Sequence, residues 1–267
     1  MTMKISASVS MMFRELPLLE RFAAAARAGF DGVEIQVIDE GDPAEMAQAA
    51  RAAGMPVVLM NLPLGDLFAG GPGLSGVPGR EAEFASAAER GLRAAREMDA
   101  RFVHIGPSRI PPGHDREACL ETYRRNAGQA LALAGRLAPD AVLLVEPMNR
   151  VEMPDALFAS IDEAADMVRL IGSAGFGLLF DLYHVAMNGD DIARAWAAHG
   201  HIAPHVQFSD APGRNEPGTG SIDFAAAFAG FRASGYGGWH GAEYRPAGPT
   251  TAGLGWLAEM RRLHPSA

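Results

Sequence analysis

The chain alternates short apolar runs with longer segments rich in Ala and Leu, and it repeats this pattern eight times. Short apolar runs in series are typical of strands buried on both faces of a parallel sheet. The eight predicted strands are Lys4–Val9, Gly32–Val37, Pro56–Met60, Phe102–Ile105, Val142–Val145, Phe176–Phe180, His205–Phe208 and Trp239–Glu243.

The segments between these runs have the apolar spacing of helices. The predicted helices are Leu18–Ala28, Ala44–Ala53, Arg80–Met98, Arg116–Leu137, Ile161–Ile171, Asp190–His199 and Phe224–Ser234, with an eighth near Ala252–Leu263. A closed (β/α)8 TIM barrel usually needs about 250 residues, and this chain has 267. The pattern therefore favours that α/β barrel over an open doubly wound sheet. No linker divides it, so we predict one domain over residues 1–267.

The composition limits the partners and the compartment. A formal charge of −9 with no block of Lys or Arg disfavours a nucleic-acid partner, which needs a basic surface to neutralise phosphates. No stretch reaches the roughly 18 apolar residues of a membrane span, and the N-terminus lacks the apolar core of a signal peptide. The single cysteine, Cys119, cannot form an intramolecular disulfide. These features predict a cytoplasmic protein, with Cys119 as a packing residue of its helix.

Four successive strands each deliver one oxygen-bearing side chain near their carboxyl end. These residues are Glu146, Asp181, Gln207 and Glu243. Because barrel chemistry lies at the carboxyl ends of the strands, we expect the four side chains to share one rim. Each alone could cap a helix or pair with an arginine, but three facing carboxylates need a cation. An all-oxygen set suits Mg²⁺ or Mn²⁺ better than zinc, so the sequence predicts one such ion.

Seven segments, in order along nearly the whole chain, carry a family pattern. They read MMFRELPLLERFAAAARAGFDGVE, NLPLGD, PGREAEF, VEPMNRVEMP, FDLYH, HVQFSDAPGRNEPGTGSIDF and GAEYRP. In these segments the chain resembles the hydroxypyruvate isomerases, which belong to the xylose-isomerase-like TIM barrel superfamily together with ketose 3-epimerases. The resemblance is most specific from Glu146 to Pro246. Barrels of this superfamily often pair, so it also leaves room for a homo-oligomer.

The resemblance implies a role for each candidate residue. Glu146, Asp181, Gln207 and Glu243 match the metal-ligand positions, although many superfamily members have His where Gln207 stands. The glutamates equivalent to Glu146 and Glu243 act as acid and base on opposite faces of the substrate. Substrate contacts are implied for His184, Arg214, Glu152 and His104. The implied reaction is an aldose–ketose isomerisation of a short hydroxy-oxo acid, hydroxypyruvate or a 2-oxo-tetronate, through a metal-stabilised enediolate.

Two loops depart from the family pattern, and they leave other functions open. After the second strand the sequence reads IQVIDEGDP, without the aromatic residues that are usual in the family. After the fourth strand it reads HIGPSRI, which adds Arg109. A ketose 3-epimerase would use the same metal and the same two glutamates, and a dehydratase acting on inososes is a second alternative. An abasic-site endonuclease would need more His, Asp and Glu for several zinc ions and a basic groove. A non-catalytic barrel would be expected to have lost a ligand.

Several of these residues also have an ordinary structural interpretation. His184 could be satisfied by a backbone carbonyl, Arg214 could pair with Glu216 on the surface, and Glu152 could be a solvated loop carboxylate. His104 could make a structural hydrogen bond. The longest irregular segment, Gly65–Gly79, is either a surface loop or an active-site lid, since it follows the third strand.

Overall fold

The computed structural model confirms the predicted closed barrel. It describes residues 3–263, with side chains as far as Arg261, so residues 1–2 and 264–267 of the predicted domain lie outside the described residues. Eight parallel strands pair in chain order, and the last closes onto the first. The strands are β1 (Lys4–Ser8), β2 (Gly32–Ile35), β3 (Val57–Asn61), β4 (Phe102–His104), β5 (Val142–Val145), β6 (Phe176–Asp181), β7 (His205–Phe208) and β8 (Trp239–Ala242).

Helices surround the barrel at the predicted places. They are α1 (Leu18–Arg27), α2 (Pro43–Ala52), α3 (Glu81–Met98), α4 (Arg116–Leu137), α5 (Ile161–Ile171), α6 (Leu182–Met187), α7 (Ile192–His199), α8 (Phe224–Ala233) and α9 (Gly255–Leu263). The short α6 was not predicted, because six residues are too few to show a repeating apolar face. It begins directly after β6, where the Asp181 carboxylate accepts the Tyr183 N–H at 2.9 Å. No helix in residues 3–263 is both long and apolar enough to cross a membrane.

Acidic residues fix the starts of several helices. Asp42 accepts the N–H groups of Ala44 and Glu45 at the start of α2, at 2.9 and 3.1 Å. Asp191 caps α7 and Asp223 caps α8 in the same way. Each side chain satisfies backbone donors that the first helical turn leaves unpaired. These caps set where each loop ends, and the loops before them carry the site.

Apolar side chains close the lower part of the barrel interior. Leu144 lies two residues before Glu146 and Leu179 two residues before Asp181, so period-two alternation points them into the same interior. With Val58, Leu59 and Phe102 they form a buried cluster of their own, separate from the larger core outside the barrel. Any site in this interior is therefore reached from the carboxyl ends of the strands. Cys119 is fully buried in α4, as predicted.

Candidate active site

The structure brings the predicted site residues together at the carboxyl ends of β4 to β8. A cavity of about 850 Å³ opens there. The predicted residues that line it are His104, Glu146, Glu152, His184, Arg214 and Glu243. The other two, Asp181 and Gln207, are each 1% exposed and belong to the same layer of the barrel.

Strand register places the predicted ligands side by side. Asp181 of β6 pairs with Gln207 of β7, and Gln207 pairs with Gly241 of β8. Glu243 follows Gly241 by two residues and therefore projects from the same face, one step nearer the rim. Neighbouring strands of a closed barrel are shifted along one another by a regular amount, and this shift brings these residues side by side. The position of each residue relative to the end of its strand in the sequence predicts this only approximately.

Buried oxygen atoms without hydrogen-bond partners mark the centre of the site. They are Glu146 Oε1, Asp181 Oδ2 and Gln207 Oε1. A buried polar atom left unsatisfied costs about 1–3 kcal/mol, so a ligand or ion is expected to satisfy these three. Carboxylate and amide oxygens are donors that suit a hard divalent cation. The residues present therefore fit the implied Mg²⁺ or Mn²⁺.

A histidine competes with Gln207 for the position of a ligand. Glu146, Asp181 and His184 each offer one ligand atom within 4.8 Å of the others. The backbone N–H of Asn149, however, donates to His184 Nδ1 at 3.0 Å. A neutral imidazole that accepts at Nδ1 carries its proton on Nε2, so Nε2 is a donor and not a free metal ligand. This tautomer favours Gln207 over His184 as the fourth ligand.

The charge state of His184 agrees with that tautomer. Burial, together with the charge of Arg214, holds the pKa of His184 well below its usual value, so the ring is neutral near pH 7. Its Nε2 lies 3.6 Å from Glu146 Oε1 and 3.7 Å from Asp181 Oδ2. These distances are too long for hydrogen bonds. The Nε2–H group is therefore available to a substrate oxygen.

Burial raises the pKa values of the three carboxylates of the site when no cation is present. Burial raises the pKa of Glu146 well above its usual value, and the charges of Glu243 and Asp181 add to the effect. Burial raises the pKa of Asp181 to about 7, although Arg214 opposes the shift. Burial also raises the pKa of Glu243, again against Arg214. A divalent cation would reverse these shifts, because it binds the ionised carboxylates.

Arg214 is the cation that the chain itself supplies to this cluster. Its Nη2 donates to Glu243 Oε2 at 2.7 Å and lies 3.9 Å from Asp181 Oδ2. Its guanidinium carbon stands 5.0 Å from the centre of the Tyr183 ring. The backbone of Arg214 is left-handed, with φ of 54°, a conformation rare for side chains other than Gly and found at functional sites.

The alternative surface pair of Arg214 with Glu216 does not form. Glu216 Oε2 instead accepts the N–H of Ala247 at 3.0 Å. Arg214 Nε is buried without a partner, although Nη1 lies 3.6 Å from Glu152 Oε2. One donor of Arg214 is thus free for a substrate oxygen while another holds Glu243.

The two remaining predicted residues flank the cluster. His104 Nδ1 lies 3.6 Å from Glu146 Oε2, and its Nε2 is buried with no partner. Burial lowers the pKa of His104 to about 3, so it is neutral. Glu152 Oε2 accepts from Asn149 Nδ2 at 3.1 Å, while its side chain stays 33% exposed at the cavity.

Two residues of the site were missed by the sequence interpretation. Glu34 is fully buried inside the barrel and accepts from Gln207 Nε2 at 2.7 Å. Burial raises its pKa, but His205 and its other hydrogen-bond donors outweigh burial and leave the pKa lowered. The signal for Glu34 was present, since a charged residue interrupts the apolar run GVEI of β2. Asn149 acts largely through its backbone N–H, which leaves no mark in the sequence.

The segment Gly65–Gly79 borders the cavity, where the prediction of a lid placed it. It contains a short 3-10 helix, Leu67–Ala69, whose Phe68 lines the cavity and is 70% exposed. Arg109 Nη1 donates to Leu67 O and Gly71 O, at 3.3 and 2.8 Å, and so ties this segment to the loop after β4. Arg109 therefore holds the loop, although it also lines the cavity.

Known proteins match this chain along nearly its whole length. A family model described as the xylose isomerase-like TIM barrel matches residues 22–260. A 2-oxo-tetronate isomerase from Cupriavidus necator is 35% identical over 254 residues, which are 95% of this chain and 97% of that protein. A hydroxypyruvate isomerase from Escherichia coli is 31% identical over 259 residues, which are 97% of this chain and 100% of that protein.

A solved structure gives the same fold at similar identity. The crystal structure of an AP endonuclease, family 2, from Brucella melitensis has a TM-score of 0.90 and 36% identity, and the match covers 97% of this chain and 99% of that one. The resemblance carried by the sequence motifs is thus confirmed. The chain belongs to the xylose isomerase-like TIM barrel family and, within it, to the hydroxypyruvate isomerases.

Proposed function

We propose that this chain is a metal-dependent isomerase of a short hydroxy-oxo acid, either hydroxypyruvate or a 2-oxo-tetronate. One observation carries the proposal. Three buried oxygens without partners, from Glu146, Asp181 and Gln207, gather beneath a cavity that a second buried glutamate, Glu243, also lines. The names of the relatives from Cupriavidus necator and Escherichia coli support the choice of substrate class.

Glu146, Asp181, Gln207 and Glu243 would hold one divalent ion, Mg²⁺ or Mn²⁺. When bound, this ion polarises a carbonyl group and stabilises the negative charge that develops when a neighbouring carbon loses a proton. Asp181 and Gln207 are almost fully buried, so they serve as ligands and do not reach the substrate. Glu146 and Glu243 line the cavity, which leaves each with an oxygen that can face the substrate.

The two glutamates carry the proton transfers. One carboxylate takes a proton from the carbon that bears the hydroxyl group, and the other returns a proton to the neighbouring carbonyl carbon. The hydroxyl proton moves to the former carbonyl oxygen, so the carbonyl group shifts by one carbon and nothing is oxidised overall. Burial raises the pKa of both Glu146 and Glu243, which makes each carboxylate a stronger base than an exposed one.

Two buried hydrogen-bond donors are available to substrate oxygens. His184 Nε2–H and Arg214 Nε are buried and unpartnered, and both residues line the cavity. The buried ring of His104 and the carboxylate of Glu152 also line the cavity. Exposed side chains of both signs also line the cavity, Arg14 and Arg245 against Glu15 and Glu40, so the buried donors carry the recognition of an acid. We expect the substrate to be a small anion, with no nucleic-acid or membrane partner.

A ketose 3-epimerase is the nearest alternative, since it would use the same ion and the same two glutamates. The cavity of about 850 Å³ is larger than a three-carbon acid requires, and this observation keeps ketohexoses in the set of substrates to test. An inosose dehydratase would also eliminate water, which the isomerase does not. The unpartnered donors of His184 and Arg214, together with the names of the two relatives, favour the acid.

An abasic-site endonuclease is the alternative that the Brucella melitensis structure raises by its description. Such an enzyme needs several zinc ions and a basic groove. Among residues 3–261, one cluster of three or more His, Cys, Asp or Glu side chains is close enough to hold a metal, and it consists of Glu146, Asp181 and His184. The formal charge of −9 also disfavours a DNA groove. A non-catalytic barrel is disfavoured by the intact set of four ligand positions.

A metal-depletion assay tests the proposed function. The protein is dialysed against chelator and supplied with hydroxypyruvate, 2-oxo-tetronates or ketohexoses, with and without Mg²⁺ or Mn²⁺. We expect isomerisation of an acid that depends on added metal and falls at least about 10²-fold in Glu146→Gln and in Glu243→Gln. Glu89→Gln on the exposed face of α3 is the matched control and retains full activity.

Two results would contradict the proposal. Activity that survives both glutamine substitutions would remove the two glutamates from the chemistry. Epimerised ketohexoses, with no change in any acid, would establish the epimerase instead.

A further inference from the structure

A fully buried carboxylate, Glu34, lies behind the predicted ligand Gln207, and the proposed reaction does not use it. Glu34 is on β2, which β1 and β8 separate from β7 in the closed barrel, and both residues are at most 1% exposed. A buried carboxylate is costly to maintain unless donors satisfy it. Its position beside a ligand raises the question of what it holds in place.

Each oxygen of the Glu34 carboxylate has two donors. Oε1 accepts from Ser6 Oγ at 2.7 Å and from His205 Nε2 at 2.8 Å. Oε2 accepts from Gln36 Nε2 at 3.2 Å and from Gln207 Nε2 at 2.7 Å. An ionised carboxylate has about four acceptor sites, so these four donors use all of them.

This arrangement fixes which end of the Gln207 amide faces which way. A carboxylate only accepts hydrogen bonds, so the amide group turned toward Glu34 must be the NH₂ and not the oxygen. The Gln207 oxygen is then left on the other end of the amide, buried and without a partner. A flipped amide would set two acceptors against each other and would offer an NH₂ group, which cannot bind a cation.

The neighbouring strand leaves room for this contact. Gly241 of β8 pairs with Gln207 in register, and a Cβ atom at Gly241 would overlap Glu34 Oε1. Gln36, another donor to Glu34, is itself held, because its Oε1 accepts from Ser8 Oγ. These contacts therefore hold the Glu34 carboxylate in one position.

We infer that Glu34 is a positioning residue that orients the Gln207 amide so that its oxygen is presented to the divalent metal ion. The inference rests on the proposed function, since it takes Gln207 as a ligand. Carboxylates that orient metal-binding side chains commonly change metal affinity about 10- to 100-fold when they are replaced. Glu34 touches neither substrate nor metal, so its effect passes through Gln207.

Mn²⁺ affinity of the full-length protein, measured by calorimetry after removal of bound metal, tests this inference without any activity assay. Glu34→Gln lets the amide at position 207 turn either way, and Glu34→Asp keeps the charge but withdraws it from Gln207. We expect both variants to bind Mn²⁺ about 10- to 100-fold more weakly than the unmodified protein. Ser6→Ala is the matched control, because it removes a donor from the other oxygen of Glu34 and leaves the Gln207 contact intact.

A double substitution separates positioning from loss of charge. If Glu34 acts through Gln207, adding Glu34→Gln to Gln207→Ala weakens Mn²⁺ binding no further than Gln207→Ala alone. If Glu34→Gln weakens Mn²⁺ binding as much in the Gln207→Ala background as in the unmodified protein, Glu34 acts by its charge, and the inference is overturned. The inference also fails if Ser6→Ala weakens binding as much as Glu34→Gln, or if Glu34→Gln and Glu34→Asp both bind Mn²⁺ normally.

The proposed function fails on different results. If Gln207→Ala leaves Mn²⁺ affinity unchanged, the ligand set is wrong and the role of Glu34 falls with it. If Mn²⁺ binds but no acid is isomerised, the proposed reaction is wrong, while the measured affinities still decide the role of Glu34. Thermal melting of each variant shows whether a weaker affinity reflects lost folding.

Discussion

The backbone N–H of Asn149 donates to Nδ1 of His184 at 3.0 Å, and this one contact assigns the proton of the imidazole to Nε2. A backbone N–H is always a donor, so the assignment does not depend on the orientation of the Asn149 amide. It makes His184 a hydrogen-bond donor within a ring of carboxylates. The same contact separates the proposed metal ligands from His184, which the distances alone do not.

Replacement of His184 tests this separation. We expect His184→Leu to lower kcat/KM for the acid substrate about 10²-fold, because leucine has no donor for a reacting oxygen. Mn²⁺ affinity, measured by calorimetry, should stay within a few-fold of the unmodified protein, because Nε2 carries a proton and is not a ligand. His201→Leu, at an exposed histidine beyond α7, is the control and should change neither quantity. A large loss of Mn²⁺ affinity in His184→Leu would make the histidine a ligand.

The pH dependence of metal binding follows from the raised pKa values. The pKa of Asp181 is raised from 3.8 to about 7, and metal ligands must lose their protons before they bind. Mn²⁺ affinity should therefore rise as the pH increases through about 7, with protons released on binding. Calorimetric titrations in buffers of different ionisation enthalpy count those protons. An affinity that stays constant from well below to well above pH 7 would contradict the raised pKa of Asp181.

The stability of the metal-free protein should change in the opposite direction. A carboxyl group with a folded-state pKa above its unfolded value stabilises the protein fully below the unfolded value, and this contribution is lost as pH rises through the folded value. For Asp181 that window runs from 3.8 to about 7. We expect Mn²⁺ to raise the melting temperature more above this window than inside it, because the ion relieves repulsion among ionised carboxylates. Asp181→Asn should reduce this difference.

Arg214 should set the acid limb of the activity profile through Glu243. The guanidinium opposes the rise in the pKa of Glu243, and it donates to that carboxylate at 2.7 Å. Arg214→Met removes this opposition, so the pKa of Glu243 rises and the acid limb of kcat/KM moves to higher pH. Arg93→Met on the exposed face of α3 is the matched control. An unchanged acid limb in Arg214→Met would mean that Arg214 does not control the pKa of Glu243.

Most of the fold could be predicted because each strand is a compact apolar run and each long helix repeats its apolar face. The helix α6 could not, since its six residues LYHVAM are too short for any period to appear. Strand ends moved by a residue or two, as at Val9 and Ile105, which lie beyond the ends of β1 and β4. These shifts do not move the site, because closure of the barrel sets the register.

The candidate site was only partly predictable for a physical reason. Residues such as Glu146 and Asp181 stand out because a charge ends an apolar run. The partner of Arg214 could not be read from the chain, since Glu243 lies 29 residues away and the nearby Glu216 binds a backbone N–H instead. Glu34 carried the same kind of signal as Glu146 and Asp181, a charge in an apolar run, but it lies inside its run rather than at the end.

Gly241 should be intolerant of even one added carbon, because the space beside it belongs to Glu34. A Cβ atom at this position would overlap Glu34 Oε1, and Glu34 lies in the closed interior of the barrel. We expect Gly241→Ala to lower the free energy of unfolding by about 1–3 kcal/mol, since the crowded carboxylate must move or the strand must shift. Urea denaturation of the metal-free protein measures the change.

Gly128→Ala in α4 is the matched control for that substitution. Nothing lies within 4 Å of a Cβ built at Gly128. Replacing a helical Gly by Ala stabilises a protein by about 0.4–1 kcal/mol when the site accepts the methyl group, so the two variants should move in opposite directions. A Gly241→Ala variant as stable as the unmodified protein would mean that the Glu34 carboxylate has room to move. A mobile carboxylate could not hold the Gln207 amide in one orientation.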